Sequence, residues 1–386
     1  MKIQILKSIH DFDETDWHPL VPPEFPFASY AFLAALEDSH CLGSRTGWSP
    51  LYLTAWRDQE LLGVLPLFQK NNSYGEYIFD FNWAQAFESL GIAYYPKLLS
   101  AIPFTPATGP KILLNSELDE TKKNEVGQRL IEASRELSQE LKVSSLHALF
   151  LTESEIAKFL SAGFLIRHSF QYHWRNRNYQ SFSDFLQDLR SKRRKEVLRE
   201  RAQVTDSGIR IQRLTGNELS SRHADIMYNF YSDTIQKMGG FSYLTREFFQ
   251  AIFLQMKSQI LFVLATNSEG LPVAGALNLM GRSTLFGRYW GCLEDYKALH
   301  FELCYYQGIE FCIENKFQLF EAGAQGEHKF QRGFLPSLTY SAHCIFHPRL
   351  SEAIEASLAE EKINLQALFQ DYKSHSPFSR AIETNL

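Results

Sequence analysis

The sequence predicts a mixed α/β fold, with α+β sheets, used twice along the chain. Three observations point there. The order strand–strand–strand–helix–strand–loop–strand is legible after residue 260, and a similar alternation of strands and helices precedes residue 176. The chain has 386 residues, which suggests two domains. Apolar residues make up 45% and aromatic residues 14%, ample for two cores and incompatible with wholesale disorder.

The elements follow in order. Leu51–Trp56 and Leu61–Gln69 are β-like runs around the turn Arg57-Asp58-Gln59-Glu60. Trp83–Leu99 has helical character limited by Gly91 and Pro96, and Pro103–Pro110 is a loop leading into the short strand Lys111–Leu114. Glu117–Leu141 places Val126, Leu130, Ala133, Leu137 and Leu141 near one face, which predicts a helix. Ser145–Leu151 reads as a strand, Ser154–Ser161 as a short helix ended by Gly163, and Phe164–Asn176 as a strand. A helix begins at Phe182 and runs on through Arg201 to Gly208. Beyond it come the strand Ile209–Leu214, the helix Glu218–Met238, and a helix after Thr245. The strands Ile260–Thr266, Val273–Met280 and Thr284–Trp290 form an antiparallel meander. Phe301–Asn315 is a helix, Phe317–Ala322 and Ser337–Phe346 are strands, and Ser351–Tyr372 is a C-terminal helix with a loose last dozen residues. The domain boundary falls near residues 176–182.

Net charge is −5, so the molecule as a whole is not a general nucleic-acid binder. The average hides a contrast. Arg167–Arg213 holds 12 Lys/Arg and 5 Asp/Glu, a net of +7, and the remainder is at −12. The N-terminus has no apolar run before a cleavage site, and no stretch approaches the ~18–20 apolar residues of a spanning helix. The five cysteines form no CxxC pair, and the 12 histidines show no zinc spacing. A cytoplasmic protein with reduced thiols, no membrane span and no bound metal is expected.

Four clusters carry the residue types that chemistry needs. The first is Glu321-Ala322-Gly323-Ala324-Gln325-Gly326-Glu327-His328-Lys329, continuing to Arg332-Gly333-Phe334. Glu327 and His328 are acid/base candidates, and Lys329 and Arg332 are suited to an anion or an oxyanion. The bland alternative is a solvated turn whose charges pair. The second is Arg288 and Trp290 on one face of a strand, with His300 and Glu302 at the next helix. Arg288 on that face needs a ligand or a carboxylate such as Glu302 or Glu321. The third is His173 and Trp174 on a strand, where a lone histidine is more often structural. The fourth is Arg190–Arg201, with seven basic residues in twelve. Lys192, Lys195 and Arg199 share a helical side, and with Arg193 they suit a polyanion. An exposed face offset by Glu196 and Glu200 is the alternative reading. No GxSxG, GxxxxGK[ST] or GxGxxG motif is present, against common hydrolases, P-loop NTPases and dinucleotide enzymes.

Gly287-Arg288-Tyr289-Trp290-Gly291, Leu299-His300-Phe301-Glu302 with Cys304-Tyr305-Tyr306-Gln307, and Gly323–Lys329 resemble the FemAB-like family of N-acyltransferases. That family is related to peptidoglycan biosynthesis or recognition. Pro103-Phe104-Thr105-Pro106, Thr108-Gly109-Pro110 and His173-Trp174-Arg175-Asn176 extend the resemblance over roughly residues 15–350. The resemblance implies two tandem GNAT (acyl-CoA N-acyltransferase)-like domains. The expected limits are 1–178, 179–350 with the active-site cleft, and 351–386 as a C-terminal helix and tail. It also implies Fem-like transfer of an aminoacyl group to an amine. The donor substrate is then aminoacyl-tRNA or acyl-CoA, and no further cofactor is called for. The acceptor is an amine such as a cell-wall precursor, and tRNA would lie on the basic helix. Catalysis falls to Glu327, His328 and Lys329, and substrate binding to Arg288, Trp290, His300, Glu302, Glu321, Arg332, His173 and Trp174. Acyl-CoA-dependent transfer to a small amine, and a non-catalytic module binding glycan peptide or RNA, are the alternatives. The pyrophosphate loop of CoA-dependent relatives is not found. Asp295-Tyr296-Lys297-Ala298-Leu299-His300 stands in its place.

Overall fold

The computed structural model describes residues 1–324 and 326–379. The strands among them, in chain order, are β1 (Lys2–Leu6), β2 (Trp48–Arg57), β3 (Glu60–Lys70), β4 (Lys97–Ser100), β5 (Leu113–Leu114), β6 (Ser145–Leu151) and β7 (Leu165–Arg175). They continue with β8 (Arg210–Thr215), β9 (Ile260–Thr266), β10 (Pro272–Met280), β11 (Thr284–Cys292), β12 (Leu319–Glu321) and β13 (Leu335–Ile345). The chain packs as two compact units, Met1–Phe170 with Leu338–Ala367, and Gln171–Ser337 with the segment from Leu368 onward.

In the first unit the strand order is β1-β2-β3-β4-β6-β13, with β5 on β3. The pair β4–β6 is parallel and the others are antiparallel. The helix Glu120–Glu140 starts where the Asp119 carboxylate accepts the Lys122 N–H at 2.9 Å. It presses Val126, Leu130, Ile131, Ala133 and Leu137 onto the sheet. Each of the larger side chains, Val126, Leu130, Ile131 and Leu137, contributes about 1.5–3 kcal/mol through burial. Trp83–Leu99, read as limited helix from sequence, divides into the helix Phe81–Ser89 and strand β4.

This unit also buries a polar network. The Lys97 amine on β4 is fully buried and donates to Glu76 Oε2 at 2.8 Å, to Ser73 Oγ at 2.9 Å and to Asp80. The Tyr94 hydroxyl donates to Asp80 Oδ2 at 2.5 Å and meets His147 Nε2 at 3.2 Å. His147 faces His343, its register partner across β6 and β13, with the two Nδ1 atoms 2.7 Å apart. Burial pushes His147 down to about 3 and His343 well below its ordinary value, so both rings are neutral and one Nδ1–H donates to the other.

In the second unit the order is β7-β12-β11-β10-β9-β8, β7 joining through Gln171–Arg175. The strands β8 to β11 form an antiparallel meander, whereas β12 runs parallel to β11. The helices Ser221–Lys237 and Arg246–Gln255 bury Phe230, Tyr231, Phe248 and Phe249. Tyr231 and Phe249 each meet the β11 ring of Tyr289 at 5.7 Å. The helix expected from Phe182 to Gly208 is two helices, Phe182–Asp188 and Ser191–Asp206. Leu189 between them is extended because it bridges to Phe378, and Arg190 N–H donates to Pro377 O at 2.8 Å. Those contacts also anchor residues 377–379, which the sequence reading counted in a loose tail; residues 380–386 lie outside the described residues. Among the described residues no helix is long and apolar enough to cross a membrane, and no group of three or more His, Cys, Asp or Glu is placed to hold a metal.

Candidate active site in the second unit

The site begins where two strands part. Among the described residues β11 pairs with β12 only through Thr284, Leu285 and Phe286. β12 ends at Glu321, while β11 continues along β10 to Cys292. From Gly287 onward one edge of β11 therefore has no strand beside it in this pairing. A cavity of about 320 Å³ opens there. Its walls are β10 and β11, the helical segment 299–314, and the loop 322–329.

The helical segment is not regular. Glu302–Tyr306 forms a π-turn, and Cys304 and Tyr305 from it face the cavity. One extra residue in a turn re-aims the side chains around it, and such turns concentrate at functional sites. The loop wall is shaped by glycine. Gly326 (φ +99°) and Gly333 (φ +90°) bracket the 3₁₀ turn Glu327–Arg332 in the left-handed region, where a Cβ is costly.

Of the residues the sequence singles out, Arg288, Trp290, His300, His328 and Lys329 come together in the cavity lining. Lys329 is 3% exposed, and its amine donates to the carbonyls of Gly323 at 2.8 Å and Ala324 at 3.4 Å. Burial pushes the amine down to about 8. The Tyr305 hydroxyl stands 2.9 Å from His328 Nε2. Burial pushes the phenol far up, so it stays protonated and donates. His328 is exposed, and partial desolvation, with Arg332 and Lys329 nearby, lowers it, which leaves it neutral at pH 7. His300 packs on Trp290 at 5.1 Å, and burial takes it down to about 4. Among the described lining residues there is no Asp or Glu, and the cationic side chains are those of Arg288 and Lys329.

The other candidates lie outside the lining. Glu327 is exposed at the start of the 3₁₀ turn. Glu302 is engaged by Arg201 at 3.1 Å and by the Gln307 amide at 2.8 Å. Arg332 grips Glu200, with Nη2 2.5 Å from Oε1 and Nε 3.1 Å from Oε2, and lies over the Phe301 ring at 3.5 Å. His173 and Glu321 are buried register partners on β7 and β12, with His173 Nε2 3.9 Å from the Glu321 carboxylate. Trp174 is fully buried against Phe185 and Tyr179, a core aromatic. On the basic helix Ser191–Asp206, Lys192, Lys195 and Arg199 are exposed. Arg193 pairs with Glu196 at 2.9 Å and donates to Gln331 at 2.8 Å.

The sequence reading missed Asn278, Tyr289, Cys304 and Tyr305 as lining residues. The segment 293–298 leading into the helix contains no glycine and carries Glu294 and Asp295. It lacks the glycine-rich pattern whose backbone N–H groups cradle a pyrophosphate at a helix N-terminus.

A family model described as FemAB-like, peptidoglycan biosynthesis/recognition, matches residues 8–380. The chain belongs to the FemAB-like family. This FemAB-like protein belongs to a family of peptidoglycan biosynthesis or recognition and folds as two compact mixed α/β units. Its fold is similar to the crystal structure of FemX at 11% identity and a TM-score of 0.53, with 92% of this chain and 100% of that chain covered. L-PGS from Bacillus licheniformis gives 9% identity and a TM-score of 0.47, covering 84% of this chain and 94% of that one. A tandem GNAT protein from the clavulanic acid biosynthesis pathway, solved without AcCoA, gives 9% and 0.40 over 89% and 98%. The comparison with curated proteins found no match. At these identities the FemX likeness is one of fold, and the FemAB-like site stands on its own residues.

Proposed function

We propose that this FemAB-like protein moves an aminoacyl group from aminoacyl-tRNA to the amine of a cell-wall precursor, in the cavity of the second unit. The carrying observation is the Lys329 amine, buried and held by two carbonyls in a cavity whose described lining also has Arg288 and two neutral histidines. Such a lining favours a donor end that is anionic or becomes so in the transition state. The glycine-free segment 293–298, which lacks the sequence pattern of a pyrophosphate loop, supports tRNA over CoA as the carrier.

In this reading the acceptor amine attacks the ester carbonyl. Its proton passes to the Tyr305 hydroxyl, which gives its own proton to His328 Nε2, and Lys329 donates a hydrogen bond to the oxyanion. Collapse breaks the C–O ester bond, the new C–N amide remains, and the proton leaves with the ribose hydroxyl of the tRNA. Glu327, outside the cavity lining, is left to the rim. The exposed face of Lys192, Lys195 and Arg199 would take the tRNA phosphates.

The test offers the protein tRNA charged with labelled amino acids, and acyl-CoA in parallel, with a cell-wall precursor peptide as acceptor. Label moving from tRNA to the peptide amine is expected. Release of CoA thiol with no transfer from tRNA would overturn the reading. The triple substitution Lys192→Gln, Lys195→Gln, Arg199→Gln is expected to weaken tRNA retention and to flatten its dependence on salt by about two to three log units per log unit of salt. An unchanged salt slope would remove the basic helix from the donor site.

A further inference from the structure

We propose that Glu200, on the inner side of the basic helix, is a positioning residue that holds two walls of the cavity in register. Glu200 is 7% exposed in a segment otherwise rich in solvated charge. One carboxylate serves two partners. Arg332 reaches it through Nη2 and Nε, and the Tyr306 hydroxyl donates to Oε2. Arg332 ends the 3₁₀ turn that carries His328 and Lys329, and its Nη1 also donates to the His328 carbonyl at 2.8 Å. Tyr306 ends the π-turn that carries Cys304 and Tyr305. The loop wall and the helical wall of the cavity are thus fastened to one side chain.

The next residue repeats the pattern. Arg201 bonds Glu302, which opens the π-turn, at 3.1 Å, and Glu310 at 2.9 Å. Arg193 holds Gln331, inside the 3₁₀ turn. One helix therefore presents free cations outward at Lys192, Lys195 and Arg199, and fixes the cavity from behind. In this arrangement Arg332 acts on the reacting groups through the His328 backbone rather than as a substrate ligand.

The inference takes the cavity of the proposed function as the working site, but its readout needs no donor or acceptor. Brief acetic anhydride labelling across pH 6–11, read by mass spectrometry of the whole protein's digest, gives the Lys329 titration midpoint, with Lys192 as an internal reference. In the native protein Lys329 titrates near 8 because it is buried. In Glu200→Gln the walls part, water reaches Lys329, and its midpoint rises by at least one unit toward the ordinary ~10.4, with Lys192 unmoved. Tyr306→Phe, which keeps the ring and removes one bond, moves it in the same direction by less. If Glu200 merely neutralised charge, the unpaired Arg332 would leave the Lys329 midpoint unchanged or lower, and that result overturns the proposal. Should Glu200→Gln not fold, Tyr306→Phe and Glu200→Asp give the same two readings. Failure of tRNA-dependent transfer would leave a raised midpoint standing, so the two readings fail separately.

Discussion

Lys97→Met is expected to destabilise the first unit by about 3–5 kcal/mol, the cost of leaving buried charges without their counterion. Lys97 is fully buried beside Glu76 and Asp80, which are 3% and 4% exposed. Glu76 Oε1 and Asp80 Oδ1 already have no hydrogen-bond partner, so the network has no reserve. In the native protein Lys97 holds the Asp80 carboxyl below its ordinary value, while burial takes Glu76 up to about 7. Without the amine both carboxyls lie above their unfolded values. A carboxyl raised by folding favours the folded state only once protonated, so the deficit should shrink as pH falls from 8 to 5. Thermal unfolding at both pH values checks this. A deficit of equal size at both would assign the loss to packing instead. Adding Glu76→Gln and Asp80→Asn to Lys97→Met should recover most of the loss, since neutral groups of similar shape need no counterion.

Lys329→Met is expected to lower the transfer rate by about 10²–10³-fold with the protein still folded, the effect of removing one oxyanion donor. The pH profile carries the sharper sign. A lysine whose amine titrates near 8 is an effective donor below that pH and loses its proton above it. The native rate should fall on the alkaline side near 8. Lys329→Arg should keep part of the rate and carry that limb beyond reach, because guanidinium stays charged. The methionine variant should show no limb there. If the limb persists near 8 in Lys329→Met, another group owns it and Lys329 is not the oxyanion donor. Single-turnover rates, which separate chemistry from product release, are the measurement to use.

The meander from Ile260 to Cys292 and the helix Glu120–Glu140 were readable because their periodicity reports contacts made inside one unit, by residues close in sequence. The Gly323–Phe334 loop was readable because glycine beside dense polar groups marks special backbone. Other features depended on distant residues. Leu189 fits a helical stripe, yet a bridge to Phe378 holds it extended. Lys97 follows Pro96 and gives no local sign that Ser73, Glu76 and Asp80 converge on it. Cys304 and Tyr305 face the cavity because of a π-turn, which no 3.6-residue period foretells. Glu200 did leave a trace. Val197, Glu200 and Val204 form one buried stripe, so a charge stands where the helix turns its apolar side inward. Charge counting assigned it to the solvated face, whereas helical spacing would have flagged it.

The return of the chain to the first unit at Leu338 sets a schedule for synthesis. Strand β6 is complete at Leu151, but its neighbour β13 ends at Ile345. At typical translation speeds the ribosome takes roughly 10–40 s to cover that interval. Throughout it one side of β6 offers unpaired N–H and C=O groups, an open template for another nascent chain. The vulnerable moment for this protein is therefore in the making rather than the working. Expression yield should respond to chaperone supply and to slower growth temperature more than to changes around the cavity.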